Sequence, residues 1–136
     1  MAEKILLLDD EVDMLLLLQT IITARTDHEV VSTNNPLELE DLMAAHAFSL
    51  VISDLKMLGR DGLEVVEKTH ETDPTIPVVI ITAYGSLESA QEAIRKGAYD
   101  YITKPFRKEQ VLIAIERALE WRRLTLENQR LKNGGG

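Results

Sequence analysis

The stretch KILLLDDEVD (residues 4–13) runs an isoleucine and three leucines straight into Asp9 and Asp10, followed by Glu11 and Asp13. Carboxylates at that density repel one another and lose hydration wherever they are brought close together. The apolar run itself lacks alternation, which reads as a strand covered on both faces, as in a parallel sheet. Four further short runs follow: EVVST (29–33), FSLVIS (48–53), IPVVIIT (76–82) and YDYIT (99–103). Between them lie segments of helical period: EVDMLLLLQTIITAR, PLELEDLMAAHA, GLEVVEKTHETD and SLESAQEAIRKG, and a last helix is expected from near Arg107. Pro36 and Ser86 stand at first-turn or cap positions, and Gly97 stands where a helix should stop. Five strands alternating with five helices predict a doubly wound α/β fold with right-handed crossovers.

Composition narrows the classes. At 136 residues the chain suits one domain, burying roughly two-thirds of its unfolded surface. With 45% hydrophobic and 28% charged residues it is globular rather than disordered. It has no cysteine, which removes disulfides, thiolate metal sites and thiol nucleophiles. The N-terminus shows no basic region leading into a signal-type apolar stretch, and no run is long enough to cross a bilayer; a soluble, cytoplasmic protein is expected. A formal net charge of −8 argues against a nucleic-acid surface, which wants clustered Lys and Arg.

In an open parallel sheet, ligands bind outside the carboxyl ends of the strands. Those ends carry Asp9 and Asp10 after the first strand, Asp54 after the third, Thr82 after the fourth and Lys104 after the fifth. The second, at the expected sheet edge, offers only Ser32 and Thr33. Three carboxylates in one crevice need a counter-charge. A divalent cation supplies it, and Mg²⁺ suits one or two carboxylates, waters and a phosphate oxygen. A carboxylate can also attack phosphorus, giving an aspartyl phosphate. Asp54, ending the central run, is the natural acceptor, with Asp9 and Asp10 holding metal. Lys104 and Thr82 would then stabilise the transferring phosphoryl group.

Taken together, LLLDDE, VISDLKM, VVIITAYGS and YDYITKPF resemble the receiver domain of two-component response regulators, over residues 4 to about 120. The resemblance implies a flavodoxin-like five-stranded sheet in the order 2-1-3-4-5, with five helices, the last extended. It makes Asp54 the phosphoacceptor for a phosphohistidine on a sensor histidine kinase. It implies Mg²⁺ (or Mn²⁺) bound by Asp9, Asp10, Asp54 and the Lys56 backbone carbonyl, with Asp10 a direct ligand. Thr82 and Tyr101 become the switch pair, Lys104 pairs with the acyl phosphate, and the Lys104–Pro105 bond is expected cis. Lys56 and Tyr84 take positions that tune phosphoryl lifetime. The implied chemistry is self-phosphorylation from phosphodonors and weak autophosphatase activity, in a regulatory domain rather than a conventional enzyme. One departure stands out: Leu58 occupies the place four residues after the acceptor where such domains usually carry proline. Gly59 and Gly62 still allow the turn, but the loop is freer in φ.

Leu112, Ile115 and Leu119 form a stripe expected to face the sheet. Beyond it, Trp121, Leu124, Asn128 and Leu131 follow a/d spacing, a candidate dimer seam with Asn128 at a register-fixing position. From Arg117 to Lys132 five basic side chains face two acidic ones, read as a solvated face. The predicted organisation is a receiver over 1–120, a helical linker or dimerisation extension over 121–133 and a glycine tail over 134–136. AYGSLESAQEAIRKGAYDYITKPF, followed by a long helix ending LENQRLK, looks like the receivers of sigma-54-dependent activators of the nitrogen-regulation type. That likeness implies output ATPase and DNA-binding domains on a longer chain, with homodimerisation through the fourth helix, fifth strand and fifth helix or through the extended last helix. A stand-alone shuttle would not need the long last helix. A haloacid-dehalogenase-type phosphatase would want Asp two residues after its nucleophile, where Glu11 stands. An inert docking module would not need the full set of rim residues. Asp13 fits the helix dipole, and His28, His46 and His70 have no ligand spacing and read as packing or surface residues.

Overall fold

The computed structural model describes residues 2–134; of the glycine tail, residues 135 and 136 lie outside the described residues. Strands β1 (Lys4–Leu8), β2 (Glu29–Thr33), β3 (Leu50–Ser53), β4 (Val78–Thr82) and β5 (Asp100–Thr103) alternate with helices α1 (Val12–Arg25), α2 (Leu39–Ala45), α3 (Gly62–Thr72), α4 (Leu87–Arg95) and α5 (Lys108–Gly134). All neighbouring strands run parallel, in the order β2-β1-β3-β4-β5. This is the flavodoxin-like arrangement. The segment expected as one helix from Pro36 opens instead with a 3₁₀ turn, Pro36–Glu38. Asn35 Oδ1 accepts the Leu37 N–H at 3.1 Å and tightens that turn before α2 begins.

The run that opens the chain is apolar on both sides because β1 faces two cores. Ile5 and Leu7 join one, with Leu15, Leu18 and Ile22 of α1 and Val111, Ile115 and Leu119 of α5. Leu6 and Leu8 join the other, with Leu39, Val65, Val66 and Ala93 from the three helices of the opposite face. Side chains alternate across a strand, so a strand buried on both faces must be apolar throughout. Each such Leu or Ile, fully buried, contributes roughly 1.5–3 kcal/mol relative to exposure.

On α5 the buried stripe is Val111, Ala114, Ile115, Ala118 and Leu119. Leu112 is only half-buried. The buried face therefore starts at Val111, one position before the expected Leu112, and takes in Ala114 and Ala118 beside Ile115 and Leu119. Past Leu119 the helix continues without a break.

The turn that delivers β3 to α3 depends on Gly62. Its N–H donates to the Leu55 carbonyl at 2.7 Å. A Cβ there would lie 2.6 Å from the Asp54 carbonyl oxygen and 2.9 Å from Leu55 Cα. Both obstacles are backbone, so the contact cannot relax through a side chain. Gly62→Ala is expected to destabilise the fold by about 2 kcal/mol, as overpacking does, read as a lower urea midpoint with an unchanged m-value.

Candidate functional site

Strand register places the polar residues at one rim. Leu8 pairs with Ser53 and Thr82 with Thr103, so the first residues past these strands emerge together. Backbone bonds continue the ladder one step further. The Asp54 N–H donates to Leu8 O at 2.9 Å, the Lys104 N–H to Thr82 O at 2.8 Å, and the Asp9 N–H to Thr33 O at 3.3 Å. The Lys104–Pro105 peptide is cis.

Asp9 and Asp54 are each 3% exposed, a burial that carboxylates tolerate only when paired. Their common partner is Lys104, whose Nζ lies 3.1 Å from Asp9 Oδ2 and 3.5 Å from Asp54 Oδ2. The remaining oxygens meet backbone: Asp9 Oδ1 accepts the Glu11 N–H at 2.9 Å, and Asp54 Oδ1 the Leu55 N–H at 2.7 Å. Thr82 is fully buried at the end of β4, and its Oγ1 accepts the Tyr84 N–H at 3.1 Å.

Burial pushes the Asp9 carboxyl above its usual range, outweighing the Glu11 N–H and the Lys104 ammonium that favour its charged form; Asp54 adds repulsion. Burial also acts against the Lys104 ammonium, but its hydrogen bond to Asp9 and the charges of Asp9, Asp54 and Glu11 prevail, and its pKa is raised. The two partners thus move in the same direction for different reasons. The lysine gains two carboxylates, while Asp9 has one shared cation against deep burial and a second carboxylate.

Oxygen atoms of Asp9, Glu11 and Asp54 lie within 4.8 Å of one another. This all-oxygen donor set could hold a hard divalent cation. Glu11 was not among the expected ligands. As the residue preceding α1 it turns back toward the rim, a placement that depends on the helix start rather than on any spacing. Asp10 lies outside that cluster: it is exposed, and its Oδ2 accepts the Leu58 N–H at 3.4 Å. Lys56 lines the same open cleft, of about 620 Å³, with Asp10, Glu11, Asp54, Leu58 and Tyr84. Tyr101 points away from it, its hydroxyl 2.8 Å from Ser89 Oγ on α4.

The remaining candidates are dispersed. Trp121 packs its ring on Tyr99 of the same chain, centroids 5.9 Å apart, while Leu124, Asn128 and Leu131 are exposed along α5. His28 accepts the Glu3 N–H, His46 sits beside Lys4 and Phe48, and His70 bonds the Ile76 carbonyl. No described helix is long and apolar enough to cross a membrane.

Residues 5–116 match the family model of the response regulator receiver domain. The chain is 37% identical over 130 residues to the C4-dicarboxylate transport transcriptional regulatory protein DctD of Pseudomonas aeruginosa, covering 95% of this chain and 28% of that protein. It is 36% identical over 137 residues to the nitrogen assimilation regulatory protein NtrX of Azorhizobium caulinodans, covering 97% of this chain and 29% of that one. The crystal structure of NtrX from Brucella abortus with ADP superposes with a TM-score of 0.90 at 36% identity, over 96% of this chain and 30% of that chain. The isolated receiver domain of the same protein gives 0.80 at 36% identity, over 85% of this chain and 98% of that chain. The chain therefore spans less than a third of its full-length relatives. It belongs to the response regulator receiver family, close to the receivers of NtrX and DctD, and family and acidic cluster together support a phosphorylation-based switch.

Removing the shared cation should expose the repulsion it hides. Lys104→Met is expected to destabilise the metal-free fold by about 3 kcal/mol near neutral pH, measured by urea unfolding in EDTA. A raised Asp9 pKa means that the folded chain holds a proton the unfolded chain has released, so ionised Asp9 counts against the fold. That cost is full above its folded pKa and vanishes below the unfolded one. The mutant's deficit should therefore shrink on acidification.

Proposed function

We propose that this receiver takes a phosphoryl group on Asp54 from the phosphohistidine of a sensor kinase and relays the event through α4, β5 and α5. The observation that carries the reading is the Lys104 ammonium held between buried Asp9 and Asp54, with Thr82 on the adjoining strand end. An Asp54 carboxylate oxygen attacks phosphorus; the new P–O bond forms as the P–N bond to imidazole breaks, and the imidazole leaves with its electron pair. Lys104 is already beside Oδ2 of Asp54 and supplies positive charge to the phosphoryl oxygens without rearrangement. The Leu55 N–H holds Oδ1 and so fixes the carboxylate plane. Thr82 Oγ1 exchanges its bond from the Tyr84 N–H for one with a phosphoryl oxygen, drawing the β4–α4 loop inward. Water later cleaves the acyl phosphate, releasing inorganic phosphate and restoring the carboxylate.

Asp9, Glu11 and Asp54 would hold the divalent cation, with Asp10 and the Lys56 carbonyl as further ligands; Mg²⁺ fits a set made only of oxygens. Bound there, it neutralises charge on the transferring group. The relatives' length supports an output elsewhere on a longer chain: sigma-54-dependent transcription, with ATPase and DNA-binding domains, is the reading we favour. Residues 1–120 then form the receiver and 121–133 the linker. Leu124, Asn128 and Leu131 remain exposed for a partner helix, while Trp121 is shared with Tyr99. The dianionic product biases two existing arrangements rather than creating a new one. Cytoplasmic placement follows from the kinase partner.

Intact-mass measurement after incubation with acetyl phosphate and Mg²⁺ should show one added phosphoryl group. Asp54→Asn should show none, and an adduct on that variant would overturn the assignment. With beryllofluoride the wild type, but not Asp54→Asn, should change its molar mass by light scattering.

Leu58 generates a separate expectation. Its N–H donates to Asp10 Oδ2 at 3.4 Å, an oxygen a cation would compete for, and proline has no N–H to offer. Leu58→Pro should tighten Mg²⁺ binding about threefold, since a long hydrogen bond to a carboxylate is worth less than about 1 kcal/mol. Calorimetric titration of the two proteins compares them directly.

A further inference from the structure

Few side chains hold α4 to the rest of the molecule. Of its residues only Ala93 is buried, and Leu87 and Ile94 are exposed. Its first turn is closed by a reciprocal cap: Ser86 Oγ accepts the Ser89 N–H at 3.0 Å, and Ser89 Oγ accepts the Ser86 N–H at 3.1 Å. The Ser89 hydroxyl serves β5 as well, lying 2.8 Å from the Tyr101 hydroxyl. It also lies 3.2 Å from the Ser86 carbonyl oxygen. A serine hydroxyl has one proton and accepts two. The Ser86 hydroxyl, 3.0 Å from Ser89 Oγ, competes for the same oxygen, and in the Ser89–Tyr101 contact either hydroxyl can donate.

The preceding loop is pressed against the same strand. A Cβ on Gly85 would lie 2.2 Å from Thr103 Cγ2 and 3.4 Å from the Tyr101 hydroxyl. Loop, tyrosine and first helical turn are thus packed as one piece. The tie between α4 and the Tyr101 hydroxyl runs through Ser89 among the described residues.

We propose that Ser89 is a positioning residue for the switch: it fastens Tyr101 to the capping box of α4, so that inward rotation of Tyr101 releases the first turn of the helix. The proposal rests on the reading of Asp54 as acceptor and Tyr101 as the mobile ring. It adds the contact through which ring position reaches the surface that carries Leu87 and Ile94. While the bond is intact, the cap and the outward ring stabilise each other. Once Tyr101 turns, Ser89 keeps its bonds to Ser86 but loses its hydrogen bond to β5. The helix start is then free to move with the loop that Thr82 draws inward.

Amide hydrogen exchange separates this from a purely structural role of Ser89. Tyr101→Phe removes the hydroxyl and keeps ring and capping box, so a cap acting alone predicts no change. We expect the Ser89 and Ala90 amides of the unliganded protein to exchange about fivefold faster in Tyr101→Phe, the worth of one such hydrogen bond. The α3 amides of Val65 and Val66 should be unaffected, and Ser89→Thr, which keeps a hydroxyl, should behave as wild type. Unchanged exchange in Tyr101→Phe, or an equal rise in α3, would overturn the tie. Beryllofluoride should raise the same amides in wild type and add nothing in Tyr101→Phe; equal increments in both would show that release bypasses Ser89. No response in either protein would instead sink the Asp54 reading, and with it the switch, while the unliganded comparison still judges the tie.

Discussion

Two carboxylates buried side by side are unstable company, and one ammonium makes the arrangement possible. Lys104 spans Asp9 and Asp54 at the ends of three strands, so its position depends on the pairing of β4 with β5 as much as on its own side chain. Removing one partner of such a buried set costs far more than the intact pairing contributes, because a desolvated charge is left behind. The sheet register and the turn leaving β3 both bear on that one contact. A cation at Asp9, Glu11 and Asp54 would share the task. The same repulsion that burdens the resting fold thereby favours whatever brings in positive charge.

Strands and rim were legible because they are one-dimensional features. An apolar run with Asp54 or Lys104 immediately beyond it announces both a buried strand and a polar strand end, and parallel topology brings those ends together. Placements set by three-dimensional packing were not legible. Glu11 joins the acidic cluster because α1 starts beside Asp9, and Asp10 turns to an amide that lies 48 residues further along the chain. Leu112 yields to Val111 on α5 because the packed face also takes in Ala114 and Ala118, small residues that an apolar stripe of large side chains passes over. The Ser89–Tyr101 bond needs both rotamers, which no periodicity records.

The loop between β3 and α3 is anchored to two helices by one side chain. Arg60, its side chain 10% exposed, holds Glu40 on α2 with two nitrogens and Glu64 on α3 with a third. The side-chain bond to Glu40 is the main reason its guanidinium is held more firmly charged than usual, against the opposing effect of burial. A two-pronged pairing of this kind fixes orientation as well as distance. Gly59, at φ +94°, sits between that anchor and Leu58. The loop is therefore tethered on its far side, while Leu58, nearest the acidic cluster, makes one long bond from its N–H to Asp10.

The unbroken course of α5 has a mechanical consequence. At about 1.5 Å per residue, the part beyond Leu119 reaches about 20 Å from the last fully buried side chain of the helix. It acts as a pointer with its pivot at the core. A tilt of about 10° at the base, small enough for side chains to absorb, would carry the tip through about 4 Å, comparable to most of one helical turn. Repacking too slight to alter the sheet would thus arrive at the far end magnified.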